Sequence, residues 1–252
     1  MTDFSKTLIR CSAIGQIMTE PKDAIAKKNG WLSKTAQSYL INTYIKEKYG
    51  RERDITTKQM AKGKQGEEDG ITMLSKYKKK FLKKNDVRLN NEFLTGEPDI
   101  FEGESIYNAD YITDIKLSWD IWTFLQNVAE PLNKDYWWQL QGYFSLSNAI
   151  DGEIAYLLVD TPENIIQNEK YKLLRQMNVI SEESHEYIYA SAALEINMIY
   201  PDIPLNEKVL IFPVQRDDEA IERINRKVEK CREFLHEFEK MHKRFVYFGK
   251  VM

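Results

Sequence analysis

The chain has 252 residues, of which 42% are hydrophobic and 30% are charged, and its formal net charge is −3. This length and apolar content suit one domain with a sizeable core, and no stretch is apolar over the roughly 18 residues that a membrane span needs. This net charge does not fit a generic nucleic-acid-binding protein, because such proteins are usually strongly basic. With only Cys11 and Cys231, the sequence excludes a disulfide framework and a zinc knuckle. Its charged start does not indicate a signal peptide, so we expect a cytoplasmic protein.

Apolar residues at helical spacing predict that the chain begins with helices. We expect helices over residues 5–18, 34–48 and 57–84, the second ending at Gly50 and the third broken near Gly70. Five residues are expected to form the apolar side of the third helix: Met60, Ile71, Leu74, Tyr77 and Phe81.

Three short runs that follow predict strands over residues 88–94, 98–101 and 111–117. Side chains alternate between the two faces of a strand, so Asp114 and Lys116 should share one face of the third strand.

The second half of the chain mixes predicted helices and strands. Helices are expected over residues 119–127, 136–148, 163–178, 181–195 and 217–244, and strands over residues 153–159 and 209–214. An apolar stripe on the last helix, interpreted as core packing, consists of Ile221, Ile224, Val228, Cys231, Leu235 and Phe238. This order predicts an α/β fold, a mixed central β-sheet flanked by helices, with a helical N-terminal segment and a long C-terminal helix.

Two carboxylates and a lysine stand near the centre of the predicted sheet. Asp99 follows Gly96-Glu97-Pro98, and Asp114-Ile115-Lys116 lies on the next strand. A neighbouring strand carrying Asp99 would add a second carboxylate beside Asp114 and Lys116. Such oxygen donors suit a hard divalent cation, and with an adjacent lysine they favour phosphodiester cleavage.

A basic block precedes the strands. It consists of Lys76, Lys78, Lys79, Lys80, Lys83 and Lys84. The block is either a solvated helix face or a surface that contacts phosphates, and in the second interpretation Lys78 and Lys79 are candidate DNA contacts.

Four motifs, taken in chain order, resemble the PD-(D/E)XK nuclease superfamily, specifically its lambda-exonuclease, YqaJ and RecB-like branch. They are Gly63-x-x-x-Glu67, Gly96-Glu97-Pro98-Asp99, Asp114-Ile115-Lys116 and Gln139-Leu140-Gln141-Gly142-Tyr143. The resemblance implies a restriction-endonuclease-like core of order αβββαβ, which we expect over residues 57–160 of a single domain. Residues 1–55 would form a helical extension, and residues 161–252 would add further helices and a strand.

The resemblance also implies a metal site. Mg²⁺ or Mn²⁺ would be held by Glu67, Asp99, Asp114 and the main-chain carbonyl of Ile115. Glu68 is an alternative to Glu67, although the spacing from Gly63 favours Glu67.

Lys116 would then lie near the attacked phosphate. It could deprotonate the attacking water or offset negative charge in the transition state. Because lysine has an unperturbed pKa of about 10.4, the role of base needs a large downward shift, and charge stabilisation is favoured.

The resemblance further places one face of the helix after the strands in the catalytic site. Gln139 and Tyr143 are four residues apart, so they share that face. Tyr143 could instead belong to an aromatic core stripe.

Three residues are weaker candidates for DNA contact. Related exonucleases carry an arginine and a serine near the start, which would correspond to Arg10 and Ser12, and Ser118 follows the lysine strand. Ser12 could equally be a helix cap.

These features predict a Mg²⁺-dependent deoxyribonuclease, an exonuclease that degrades linear double-stranded DNA in phage-type recombination and repair. The alternatives are a structure-specific or restriction-like endonuclease and an inactive protein that binds DNA ends. The resemblance implies DNA as partner, allows a single-strand annealing protein and a homo-oligomer, and gives no membrane partner. An iron–sulfur cluster, found in some relatives, needs four cysteines and is excluded by the two present.

Overall fold

A computed structural model describes residues 3–53 and 55–248. The strands in this part of the chain are β1 (Ile9–Arg10), β2 (Leu89–Asn90), β3 (Leu94–Gly96), β4 (Ile100–Glu102), β5 (Tyr111–Leu117), β6 (Asp151–Leu157) and β7 (Val209–Gln215). The α-helices are α1 (Ile14–Ile17), α2 (Ala24–Lys28), α3 (Lys34–Tyr49), α4 (Lys58–Gln65), α5 (Glu67–Lys78), α6 (Ile121–Ala129), α7 (Lys134–Ser147), α8 (Glu163–Gln176), α9 (His185–Ile196) and α10 (Asp218–Phe248).

The central sheet is mixed and has the strand order β4-β5-β6-β7. Strands β5 and β6 run parallel, whereas β4 pairs with β5, and β7 with β6, in antiparallel fashion. A smaller sheet of order β1-β3-β2 stands beside it. The residues of β6 from Gly152 onward are all buried, as expected for a strand covered by helices on both faces.

Helices cover both faces of the central sheet, as the order of elements predicts. On one face, Leu74 of α5 packs with Ile115 and Leu157. On the other face, Ile112 and Ile154 belong to a larger core that α7 forms with α1, α3 and α10. The predicted α/β fold with a mixed sheet is therefore confirmed.

Several predicted elements are confirmed closely. Strand β5 has the predicted limits, and α3 ends at Gly50, which adopts the left-handed conformation expected of a helix C-cap. The stripe on α10 is buried at Ile221, Val228 and Leu235, so it packs into the core as predicted. None of the described helices combines the length and apolar content needed to cross a membrane.

The helix proposed for residues 57–84 differs from the structure at its break and at its C-terminal end. It is broken at Gly66, not at Gly70, and it ends at Lys78. Phe81 therefore lies in a loop and is 88% exposed, so its assignment to an apolar helix side is wrong.

The N-terminal helix and the first two strands are also shifted. The helix predicted over residues 5–18 is interrupted by β1, which pairs with β3. Residues 88–94 form only β2 and the start of β3, and the strand predicted at 98–101 is displaced to β4. These short strands depend on pairing between distant segments, which the sequence pattern does not reveal.

Candidate active site

Strand β5 holds the acid and the lysine at the centre of the site. Asp114 and Lys116 point to the α7 side of the sheet, while the intervening Ile115 packs under α5 on the other side. Asp114 is 1% exposed, and its Oδ2 lies 2.6 Å from Lys116 Nζ. The alternation along one strand thus produces a buried ion pair.

Gln139 of α7 connects both members of this pair. Its Nε2 donates to Asp114 Oδ1 at 3.1 Å and to the Tyr143 hydroxyl at 2.8 Å. Its Oε1 accepts from Lys116 Nζ at 3.2 Å. One amide therefore fixes the positions of the carboxylate, the ammonium group and the phenol.

Asp99 lies immediately before β4. Because β4 pairs only with the first three residues of β5, the edge of β5 beyond Thr113 is left open beside Asp99. Its Oδ2 accepts a hydrogen bond from Ile115 N at 2.6 Å, and its own carbonyl accepts from Asn85 N at 2.8 Å. A residue in a strand directs its N–H and C=O to the same side, so the Ile115 carbonyl belongs to the same edge as Asp99. The structure thus brings Asp99, Asp114, Ile115 and Lys116 to one place.

Glu67 approaches from the opposite face of the sheet, because it begins α5. Its Oε2 lies 3.1 Å from Lys84 Nζ, and its charge contributes to raising the pKa of Asp99. The neighbouring Glu68 is exposed. Of the two glutamates, Glu67 is the one directed toward the candidate site, although in this arrangement it is paired with Lys84.

Burial dominates the electrostatics of the site. It raises the pKa of Asp99 to about 7, with a further contribution from the charge of Asp114, and it also raises the pKa of Asp114. Burial favours the neutral amine of Lys116, but the charges of Asp114 and Asp99 outweigh it and leave the pKa of Lys116 above its ordinary value. Lys116 is therefore a cation at neutral pH.

The donor set has the chemistry of a divalent-cation site. Asp114 Oδ2 is buried and accepts no hydrogen bond from the described residues, so the Lys116 ion pair is its polar contact. The buried carboxylate of Asp114 and the half-buried one of Asp99, beside a single lysine, leave negative charge for a hard cation to offset. As placed, however, no three Asp, Glu, His or Cys side chains of the described residues are close enough together to hold an ion. Glu67, the third candidate carboxylate, is paired with Lys84.

Tyr143 and Tyr136 extend the site along α7. Tyr143 is 4% exposed, and burial raises the pKa of its hydroxyl well above the usual range, so it stays a neutral phenol. Lys116 Nζ lies 4.6 Å from the centroid of the Tyr136 ring. The sequence interpretation missed Tyr136, although its position one turn before Gln139 was the available signal.

The remaining candidate residues are dispersed. Arg10 and Ser12 are exposed, and Ser12 caps no helix because it lies inside a short 3₁₀ helix. Ser118 is 4% exposed, so the expectation that its side chain contacts DNA is corrected: its backbone continues the pairing with β6 and turns the hydroxyl inward. Lys78 Nζ lies 2.6 Å from Oε1 of the buried Glu153, whereas Lys79 is exposed.

Comparisons with known proteins agree with this fold. No protein-family model and no curated protein matches the chain. A phage-related exonuclease from Haemophilus somnus 129PT is 26% identical, with a TM-score of 0.72 over 96% of this chain and 99% of that one. An alkaline exonuclease from Laribacter hongkongensis, LHK-Exo, is 13% identical, with a TM-score of 0.60 over 96% of this chain and 95% of that one.

A second structure of LHK-Exo, in complex with dAMP, gives the same identity of 13% and TM-score of 0.60 over 98% of this chain and 96% of that one. At 13% identity, the likeness to LHK-Exo concerns the fold alone. The Haemophilus protein, at 26% identity, is also similar in sequence. The chain therefore shares the fold of a phage-related and an alkaline exonuclease, in agreement with the resemblance to phage-type exonucleases of the PD-(D/E)XK superfamily.

Proposed function

We propose that the chain is a metal-dependent DNA exonuclease that hydrolyses phosphodiester bonds of linear double-stranded DNA. The observation that carries the proposal is the convergence of Asp99, Asp114 and Lys116 at the open edge of β5. The 26% identity to a phage-related exonuclease over nearly the whole chain supports the same activity. By the same likeness, we assign the enzyme to phage-type recombination and repair in the bacterial cytoplasm.

In this proposal, Asp99, Asp114 and the Ile115 carbonyl would hold Mg²⁺ or Mn²⁺, and Glu67 would complete the set after leaving Lys84. A bound ion of this kind would supply Lewis-acid activation of the phosphate and of a water.

Lys116 would act as a cation. Its raised pKa supports stabilisation of the charge that develops on the attacked phosphate, since a general base would have to be neutral. Gln139 would hold the ammonium group and Asp114 in the geometry that the reaction needs. Further partners that follow from the likeness are a single-strand annealing protein and other copies of the chain.

The test is cleavage of linear duplex DNA in Mg²⁺ by the wild-type protein and by Lys116→Ala, with closed circular DNA as a second substrate. We expect the wild type to degrade linear DNA and spare the circle, and the variant to lose nearly all activity. Cleavage of the circle would indicate the endonuclease instead. Binding of DNA ends without cleavage would indicate the inactive end-binding protein.

The metal assignment has its own test in calorimetry with Mn²⁺. Asp114→Ala should lose the binding isotherm of the wild type while remaining folded by circular dichroism. Exposed Asp202→Ala is the matched control and should bind Mn²⁺ as the wild type does. An unchanged isotherm for Asp114→Ala would remove Asp114 from the ligand set.

A further inference from the structure

The loop after α5 displays an aromatic ring among lysines. We call residues 79–85 the lysine loop; it contains Lys79, Lys80, Phe81, Lys83 and Lys84. Phe81 is 88% exposed, and this is unfavourable because the apolar surface of the ring stays in water. The fold thus places a large ring where it contributes little to the core.

The exposure of Phe81 is fixed by its surroundings. The next residue, Leu82, is 5% exposed and packs into the core beneath α5, and its N–H donates to Ser75 Oγ at 3.2 Å. Asn85 is 3% exposed and donates from Nδ2 to the carbonyls of Val87 and Pro98, both at 2.9 Å. Leu82 and Asn85 thus anchor the loop on its buried side, while Phe81 faces away from the core.

The same loop is attached directly to the candidate active site. Asn85 N donates to the carbonyl of Asp99, and Lys84 Nζ pairs with Glu67 Oε2. A DNA strand that leaves the candidate active site past Asp99 and Glu67 would therefore meet the lysine loop.

The charge of the loop identifies the kind of partner. Lys80 pairs with Glu102, but Lys79 and Lys83 are exposed and make no ion pair with any described residue. Lysine is depleted from the cores of protein–protein interfaces, whereas lysines beside an exposed aromatic ring are the arrangement that binds single-stranded nucleic acid. The phosphates pair with the lysines, and a base stacks on the ring.

We infer that the lysine loop binds an unpaired DNA strand at the exit of the active site, with Phe81 stacked on a base and Lys79 and Lys83 on phosphates. The inference rests on the proposed exonuclease function, because removal of nucleotides from one strand of a duplex leaves the other strand unpaired. A ring cannot stack on a base that is already enclosed in a duplex, so the specificity is for the unpaired strand.

The experiment measures fluorescence anisotropy of labelled DNA with the full chain, in EDTA so that no cleavage occurs. One probe is a duplex with a single-stranded tail, and the other is a duplex closed by hairpins at both ends. Phe81→Ala should weaken binding of the tailed probe about 5- to 150-fold, from ~1–3 kcal/mol per stacked base. The closed probe should bind to wild type and variant alike.

Two further variants give the controls. Phe81→Trp should keep wild-type affinity for the tail, since indole stacks as well as phenyl. Tyr189→Ala removes a 76% exposed ring from α9 and should change nothing. Because Phe81 and Tyr189 are both exposed, none of these substitutions should shift the melting temperature.

Equal affinity of wild type and Phe81→Ala for the tailed probe overturns the inference while leaving the nuclease proposal intact. An equal loss on both probes also overturns it, because Phe81 would then not read the unpaired strand. Wild-type protein that binds neither probe also overturns the inference, whereas the proposed function is decided separately by cleavage of linear duplex in Mg²⁺.

Discussion

At the scale of single residues, Gln139 determines how the site is arranged. A glutamine amide can donate and accept at once, so it can bind a carboxylate and an ammonium group that would otherwise be free to rotate. The side chain is 7% exposed, which shields both hydrogen bonds from competing water. Among the described residues, the Tyr143 hydroxyl makes one hydrogen bond, which it accepts from this amide.

This difference predicts unequal effects on activity. Gln139→Ala should lower the rate of DNA cleavage about 10–100-fold, as is typical when a group that orients a catalytic side chain is removed. Tyr143→Phe removes a single hydrogen bond and should lower it less. Single-turnover cleavage of linear duplex measures both. Equal losses would mean that Tyr143 acts on the substrate itself.

Asp99 gives a prediction for pH. Its folded-state pKa of about 7 lies above the value of ~3.9 in an unfolded chain, so between these values the folded state binds a proton that the unfolded state does not. The stability of the metal-free protein should therefore fall as pH rises through this window. Asp99→Asn, whose amide oxygen still accepts from Ile115 N, removes that loss.

Urea unfolding in EDTA checks this expectation. Asp99→Asn should be more stable than the wild type by on the order of 1–3 kcal/mol at about pH 8, and the difference should shrink toward zero near pH 4. The exposed Asp202→Asn should show no such trend. If the difference in stability between Asp99→Asn and the wild type did not change with pH, titration of Asp99 would not be its cause.

At the scale of elements, α7 packs closely against the N-terminal segment, while its Gln139 reaches Asp114 on β5. Gly142 makes this approach possible, because a Cβ there would lie 2.4 Å from Ile14 Cδ1 and 2.9 Å from Cys11 Sγ. Gly63, in contrast, has open space around it. The glycine of the first motif is thus not required by packing, whereas the glycine between Gln139 and Tyr143 is.

The two glycines predict opposite effects of one substitution. Gly63→Ala should stabilise the protein by about 0.5–1 kcal/mol, because alanine favours the helix. Gly142→Ala should destabilise it by about 1–3 kcal/mol through overpacking, in spite of the same gain. Chemical denaturation of both variants measures the difference. A stabilising Gly142→Ala would show that α7 can shift without cost.

At the scale of the whole molecule, α10 connects segments that are distant in the sequence. Arg232 is 6% exposed, and it donates from Nε to the carbonyl of Thr7 and from Nη2 to that of Glu92. One side chain therefore joins the C-terminal helix to the N-terminal segment and to the turn before β3.

Removal of this side chain should destabilise the fold. Arg232→Ala leaves two carbonyls without their donors and is expected to cost about 2–4 kcal/mol. Arg226→Ala, which breaks an ion pair on the exposed face of the same helix, should cost no more than about 0.5 kcal/mol. Thermal unfolding of the two variants makes the comparison, and similar losses would contradict a linking role for Arg232.

The sequence by itself determined the features that depend on neighbouring residues. The limits of β5, the shared face of Asp114 and Lys116, and the shared face of Gln139 and Tyr143 all follow from periods of two and about four residues. The resemblance added the expected α/β fold with a mixed sheet flanked by helices, and the fold agrees with it. The expected order αβββαβ differs in detail, because four strands and two helices lie between α5 and β6.

Only the tertiary structure decided which distant groups meet. It paired Glu67 with Lys84, left Glu68 exposed, turned Ser118 inward and placed Phe81 in water. These outcomes depend on where α5 stops and on how it packs across the sheet from α7. Such packing is set by contacts between segments far apart in the chain, and a local pattern of residues carries no record of them.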